Sequence, residues 1–121
     1  MADPKTVYQI ERNQDVMVVA PQGPAMNYRY NEIHMESNLL MQIFDEPELK
    51  HVLFDLNQGD YLDSVIIGAL IRLAQQCRMD GGRATFCNGS EHMLSVLKCI
   101  KVGDLWPYFE TRAEALAELQ D

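Results

Sequence analysis

Short apolar runs alternate along this chain with longer stretches whose apolar residues recur every three or four positions. Thr6 to Ile10 and Val16 to Ala20 are rich in β-formers. The polar stretch Glu11 to Asp15 between them reads as a hairpin connection, so the two runs are expected to pair antiparallel. Pro21-Gln22-Gly23-Pro24 ends the second run. Residues 27 to 45 then carry a helical period, with Tyr30, Ile33, Leu40, Ile43 and Phe44 on one face and Pro47 as the stop. His51 to Leu56, built on Val52-Leu53-Phe54, reads as a buried central strand. Polar residues and one glycine, Asn57 to Asp60, take the chain off the sheet.

Ser64 to Arg78 gives the clearest helix, with Ile67, Leu70, Ile71, Leu73 and Ala74 as its buried stripe and Arg72, Gln75 and Gln76 on its wet side. Gly81-Gly82 ends it, since glycine takes a left-handed C-cap at little cost. Arg83 to Asn88 is the next strand. Ser90 caps a helix with Leu94, Val96, Leu97 and Ile100 as its apolar side, Lys98 and Lys101 near its end and Gly103 as its stop. Pro107 limits Trp106 to Phe109 to a short edge strand. Thr111 and Glu114 form a capping box that opens a final helix. The order β-β-α-β-α-β-α-β-α implies an α/β fold: a mostly parallel mixed sheet with an N-terminal antiparallel hairpin and right-handed crossovers. The pattern shows no repeat, low-complexity tract or linker, and 121 residues fit a single domain spanning 1–121.

Composition narrows the function. The net charge of −8 repels phosphate backbones and anionic membranes, which argues against nucleic-acid partners and favours a protein partner with a basic face. The longest apolar run, Val65 to Ile71, is too short to span a membrane, and Met1 to Lys5 lacks a secretory pattern. The chain is therefore expected in the cytoplasm. Cys77, Cys87 and Cys99 are widely spaced without a Cys-x-x-Cys pair, so they read as reduced, mostly buried thiols and not as a metal or redox site. Met26, Met35, Met41, Met79 and Met93 read as core filling, or as an adaptable contact surface for a partner.

Candidate chemistry concentrates on Asp63-Ser64 at the start of the long helix. Free backbone N–H groups and the positive end of the helix dipole favour an anionic group there. Ser64 is either the N-cap, or an exposed and modifiable hydroxyl with Asp63 as the cap. Asp55 and Asp60 read as loop-solvating carboxylates, or as helpers for a kinase's ATP-bound magnesium. His34, His51 and His92 lie beside separate elements with no nucleophile motif, and there is no Gly-x-Ser-x-Gly elbow or phosphate-binding glycine loop. No enzyme activity, cofactor or metal is expected.

These residues resemble the STAS family, whose best-known members are bacterial anti-sigma-factor antagonists. The resemblance rests on Val52-Leu53-Phe54-Asp55-Leu56, Tyr61-Leu62-Asp63-Ser64 and Gly68-Ala69-Leu70. Gly81 to Phe86, Leu94 to Leu105 and Phe109 to Leu116 extend it in the same order. It implies a STAS-like fold and a non-enzymatic regulator of transcription. Such a regulator binds an anti-sigma factor that is itself a serine kinase, and is switched by phosphorylation at Ser64. Asp63, Asp60, Tyr61, Val65, Gly68 and Asn27 are the implied partner-binding residues, and a homodimer is compatible with the family. Two departures bear on this. Val65-Ile66-Ile67 fills the places of a small residue and a glycine after the serine, and Asn27 follows Gly23-Pro24-Ala25-Met26 where the family has an acid. The alternative that the resemblance implies is an unphosphorylated STAS scaffold, or a subunit of a larger signalling or transport assembly. A small-ligand or lipid carrier would additionally need an apolar pocket.

Overall fold

The computed structural model describes residues 7–22, 29–58, 64–100 and 106–120. Its strands are β1 (Tyr8–Asn13), β2 (Val16–Pro21), β3 (His51–Asp55), β4 (Ala84–Cys87) and β5 (Tyr108–Phe109). Its helices are α1 (Tyr30–Phe44), α2 (Ser64–Met79), α3 (Glu91–Cys99) and α4 (Arg112–Leu119), so the expected element order is the observed one. The strands form one five-stranded sheet in the order β1-β2-β3-β4-β5. β1 and β2 are antiparallel, and β2, β3, β4 and β5 run parallel.

The hairpin is tighter than its polarity suggests. β1 continues through Glu11 and Arg12 to Asn13, which pairs with Val16, and only Gln14 and Asp15 form the turn. Gln14 takes the positive φ of 55° that a two-residue turn demands. Glu11 and Arg12 lie on an edge strand, where charge faces water and discourages pairing with another sheet. That is why a charged stretch here is strand and not loop. β2, by contrast, is buried along its whole length.

Alternation along the strands divides the interior in two. Met17, Val19, Val52, Phe54 and Phe86 join the large cluster that α1, α2 and α3 cover. Val16, Val18, Leu53 and Cys87 point to the other face, where Ala115 and Leu119 of α4 close a smaller cluster. Phe54 and Phe86 stack with ring centroids 4.7 Å apart, and Trp106 meets Phe86 edge-on at 6.4 Å. The buried hydroxyls of Tyr8 and Ser37 share a 2.8 Å hydrogen bond that fixes α1 against β1.

Two helix faces differ from their sequence reading. In α2 the fully buried residues are Ile66, Ala69, Leu70, Leu73, Ala74 and Cys77, while Ile67 and Ile71 are only half-buried. Apolar residues occupy more than one face at the start of α2, so the pattern alone could not fix its rotation. In α3 the buried pair is Met93 and Leu97, with Leu94, Val96 and Ile100 half-buried. Lys101 and Gly103 lie outside the described residues.

The glycine stop of α2 is a Schellman motif. Gly81 sits at φ +90°, its N–H donates to the Arg78 carbonyl (3.1 Å), and the Gly82 N–H donates to the Cys77 carbonyl (2.8 Å). Gly82 has a second constraint, since a Cβ there would lie 1.8 Å from the Lys50 carbonyl oxygen. The N-caps of α3 and α4 are Ser90, which accepts from the Met93 N–H, and Thr111, which accepts from the Glu114 N–H. The Thr111 hydroxyl also donates to Glu114 Oε1 (2.9 Å).

Candidate functional site

α2 is the element that follows β3, and Ser64 is its first residue. Ser64 is exposed at the helix end. Val65 is half-buried and packs against the main core, Ile66 has no exposed surface, and Gly68 is exposed with open space where a Cβ would stand. Ser64 and Gly68, one turn apart, therefore begin the solvent face of α2, which continues through Arg72, Gln75 and Met79. Asp60, Tyr61, Asp63 and Asn27, the other candidate partner-binding residues, lie outside the described residues.

The first turn of α2 carries no acidic side chain, and its last turn carries Arg78. The positive end of the dipole at Ser64 is thus not neutralised from within that turn, while Arg78 complements the negative end. An added anion at Ser64 would meet a favourable local field.

A polar cluster gathers at the end of β3. Asp55, the last residue of β3, is 4% exposed yet fully engaged. Its Oδ1 accepts from the Asn57 N–H (3.0 Å) and from Asn88 Nδ2 (3.0 Å), and its Oδ2 accepts from Arg112 Nε (2.8 Å). Arg112 also donates to Glu11 on β1. Burial pushes the Asp55 carboxyl up, but hydrogen bonds from Asn88, Arg112 and Asn57 and the Arg112 charge outweigh it and hold the group below its ordinary range. Asp55 is therefore neither a loop-solvating carboxylate nor a free magnesium ligand. It is a clamp joining the end of β3 to Asn88 after β4 and to the start of α4.

Sequence reasoning missed Arg112, Asn88 and Glu11 as members of this cluster. A carboxylate ending a buried strand announces that it needs donors. Nothing in the chain says that one of them stands 57 residues away. Asn88 gave a fainter signal: its φ of 60° is a conformation that asparagine tolerates better than most residues.

Cys77, Cys87 and His51 are engaged in structure. Burial raises the Cys77 thiol to about 11 and the Cys87 thiol to about 12, so both stay protonated and unreactive at neutral pH. Cys99 is exposed. His51 Nδ1 accepts from the Arg83 N–H (2.9 Å), and burial lowers its pKa despite the nearby Asp15. Among the described residues, no group of three or more His, Cys, Asp or Glu could hold a metal ion. Nor is any helix among them long and apolar enough to cross a membrane.

Comparison with known proteins matches this geometry to one family. The model of the STAS domain family matches residues 8–115. No curated protein matches the chain. Among solved structures, it is similar to an anti-sigma-factor antagonist (STAS) domain protein from Planctomyces limnophilus. That protein is 21% identical over 94% of this chain and 98% of the other, with a TM-score of 0.78. It is also similar to an anti-sigma factor antagonist from Mycobacterium paratuberculosis, at 15% identity over 94% and 93% of the two chains and a TM-score of 0.75. A third is the Bacillus protein SpoIIAA. Its unphosphorylated form is 14% identical over 93% and 96% of the chains, with a TM-score of 0.76. Its phosphorylated form is 15% identical over 92% and 97%, with a TM-score of 0.72. These likenesses show a shared fold. The chain belongs to the STAS domain family.

Proposed function

We propose that this STAS domain works as a single-domain, non-enzymatic regulator in the manner of an anti-sigma-factor antagonist. It would bind an anti-sigma factor with serine kinase activity in the cytoplasm and be switched by phosphorylation at Ser64. The observation that carries the reading is that Ser64 is exposed and is the first residue of α2, at the position where the sequence resembles the family's Asp-Ser pattern. The acid-free first turn supports it, because a phosphate adds about −1.5 to −2 charges at pH 7 and would sit in the helix's positive end field. SpoIIAA matches this fold in both its phosphorylated and unphosphorylated forms, which supports a modification that leaves the fold intact. The switch would act on binding: charge added beside Asp63 within a closely packed interface repels and desolvates poorly.

The packing of Val65 and Ile66 favours a second reading, an unphosphorylated STAS scaffold. Val65 is half-buried beside Ser64, and Ile66 is fully buried in the core, so bulk follows the serine where the family carries small residues. The two readings separate cleanly. Intact mass of the chain purified from its own cells, with and without phosphatase, should show one phosphate that Ser64→Ala removes. Ser64→Asp should weaken binding to the cognate kinase about tenfold or more, about 1.4 kcal/mol, without lowering thermal stability. Val65→Ser is the control for bulk, since emptying Ile66 would damage the core. A kinase that modifies Val65→Ser but never the natural chain makes it a scaffold. A Ser64→Asp domain that melts makes Ser64 a structural residue.

A further inference from the structure

The chain as a whole is acidic, with a net charge of −8, yet α2 carries no acidic residue from Ser64 to Met79. Its charged residues are Arg72 and Arg78, and both are exposed. Arg12, Arg29, Arg83 and Arg112 each pair with a carboxylate. Arg72 and Arg78 are the two arginines with no ion pair or hydrogen bond among the described residues. Two acids stand close in the fold, and both are engaged. Asp80, just after α2, accepts from Gln76 Nε2 (3.0 Å), and Glu118, which lines one cavity with Arg78, pairs with Arg83 (3.6 Å).

Apolar surface accompanies this charge. Met79 is 81% exposed, more than any other large apolar side chain among the described residues. With Gln75, Arg78 and Trp106 it lines a groove of about 430 Å³, and the buried Trp106 is the floor. Six residues at 3.6 per turn set Arg72 and Arg78 about 120° apart around the helix, with Gln75 and Met79 between them. Exposed apolar surface rimmed by polar groups marks interaction sites, and arginine and methionine are enriched in them. Arg78 is fourteen residues from Ser64, roughly 21 Å along the helix at 1.5 Å per residue, so this surface is centred away from the proposed switch.

We propose that the second half of α2 is a docking surface for an acidic segment of a protein partner, one in which carboxylates flank a large apolar side chain. Guanidinium groups bind carboxylates in a two-pronged geometry, and two of them stand unpaired here. The apolar side chain enters the groove, where the flexible Met79 adapts to its shape. Charge selects the class of occupant. A nucleic acid or an anionic membrane is too extended to touch two arginines alone, and the net charge of −8 around them repels it. A short acidic segment of a protein meets the arginines without that penalty. The chain's net charge favours a partner with a basic face; at α2 the local charge reverses that expectation. The same segment placed elsewhere on this acidic chain would meet like charge, which fixes its position. The inference rests on this surface alone and holds whether or not Ser64 is phosphorylated.

The test uses the full chain in its own cells, with the photo-crosslinking residue p-benzoylphenylalanine in place of Gln75, an exposed position between the two arginines. Irradiation should give one dominant adduct with another protein. Mass spectrometry of the joined peptides should place the link in a segment of net negative charge. The Ser64→Ala chain, which cannot be phosphorylated there, should give the same adduct. Arg72→Glu with Arg78→Glu should lower its yield about tenfold or more, and calorimetry with the purified partner should show affinity about tenfold or more weaker, because like charges then face each other across the interface. Both positions are exposed, so the thermal midpoint should stay at the wild-type value. Arg72→Gln with Arg78→Gln, which adds no repulsion, should give a smaller loss and carries the test if the charge reversal lowers the midpoint. The proposal is overturned if the adduct is no stronger than one from the same label at exposed Ser95 on α3, or if the joined segment is basic. It is also overturned by an adduct with a second copy of this chain or with nucleic acid, or by affinity that the arginine substitutions leave unchanged. An adduct lost in Ser64→Ala would make this surface part of the Ser64 site and overturn its independence.

Discussion

Replacing Arg112 by glutamine tests whether the clamp on Asp55 holds α4 to the sheet. The substitution removes the 2.8 Å bond to Asp55 Oδ2 and the positive charge behind it, and leaves the bonds from Asn57 and Asn88 to Oδ1 in place. A hydrogen bond to a charged group contributes about 1.5–3 kcal/mol. The Arg112 side chain is 36% exposed, so water partly replaces it at Asp55 and the expected loss falls to about 1–2 kcal/mol. The bond to Glu11, itself 56% exposed, adds little. Urea denaturation followed by Trp106 fluorescence measures the loss. In an Asp55→Asn background the same substitution should cost under about 0.5 kcal/mol, which gives a coupling of roughly 1 kcal/mol. The pH dependence has a definite sign. The folded pKa of Asp55 is depressed below its ordinary 3.8, so its stabilisation is complete above that pH and is lost as pH falls below it. The gap between wild type and Arg112→Gln should therefore be full at neutral pH and shrink below 3.8. Equal losses in both Asp55 backgrounds, or a gap that persists in acid, would refute the clamp.

Three further outcomes follow from the packing. Leu70→Ala should cost about 2–5 kcal/mol, because Leu70 is 2% exposed in the middle of α2; a denaturation midpoint implying less than about 0.5 kcal/mol would mean the buried face is misassigned. Gly82→Ala should destabilise by more than about 3 kcal/mol, since its Cβ would lie 1.8 Å from a backbone oxygen, whereas Gly81→Ala should cost only about 1–2 kcal/mol for its positive φ. Comparable denaturation midpoints for the two variants would contradict the close approach at Lys50. His51 has its pKa lowered from 6.5, so the stability it contributes is present above that pH and lost as pH falls below it. His51→Gln should flatten the stability profile between 6.5 and the lower folded value, and an unchanged slope would assign the titration to another group.

What the sequence disclosed, and what it withheld, follows from the range of each interaction. Periodicity is local, so the order of strands and helices, the Gly81-Gly82 stop and the Thr111 cap were all legible. Charge misled at Glu11 and Arg12, because polarity marks both loops and edge strands and only the sheet decides between them. The rotation of α2 was misread because isoleucines fill several faces at its start, and the choice of Ile66 over Ile67 for the core is made by the sheet beneath. The start of α2 at Ser64 was legible because a helix start is a sequence signal. The polar cluster at Asp55 was not: its long-range donors are Asn88, just after β4, and Arg112 at the start of α4, and Glu11 of β1 joins only through Arg112. Such convergence across the chain leaves no trace in spacing.

The architecture of α2 bears on how a switch at Ser64 could work. The helix lies on the sheet through Ile66, Leu70, Leu73 and Cys77, all nearly or fully excluded from water, and its far end is locked by the glycine stop against Lys50. Close-packed interfaces of this kind do not slide by small increments. A charge added at the helix start therefore cannot cheaply displace the whole element, and its effect should stay within reach of the added group. That reach covers the exposed face beginning at Ser64 and Gly68. A partner that reads the state of Ser64 must then touch that face directly, so placing bulk at Gly68, where a Cβ meets nothing within 4 Å, should impair partner binding without unfolding the domain. If Gly68→Leu binds its partner as tightly as wild type, the docking face lies elsewhere and the helix start is not the surface being read.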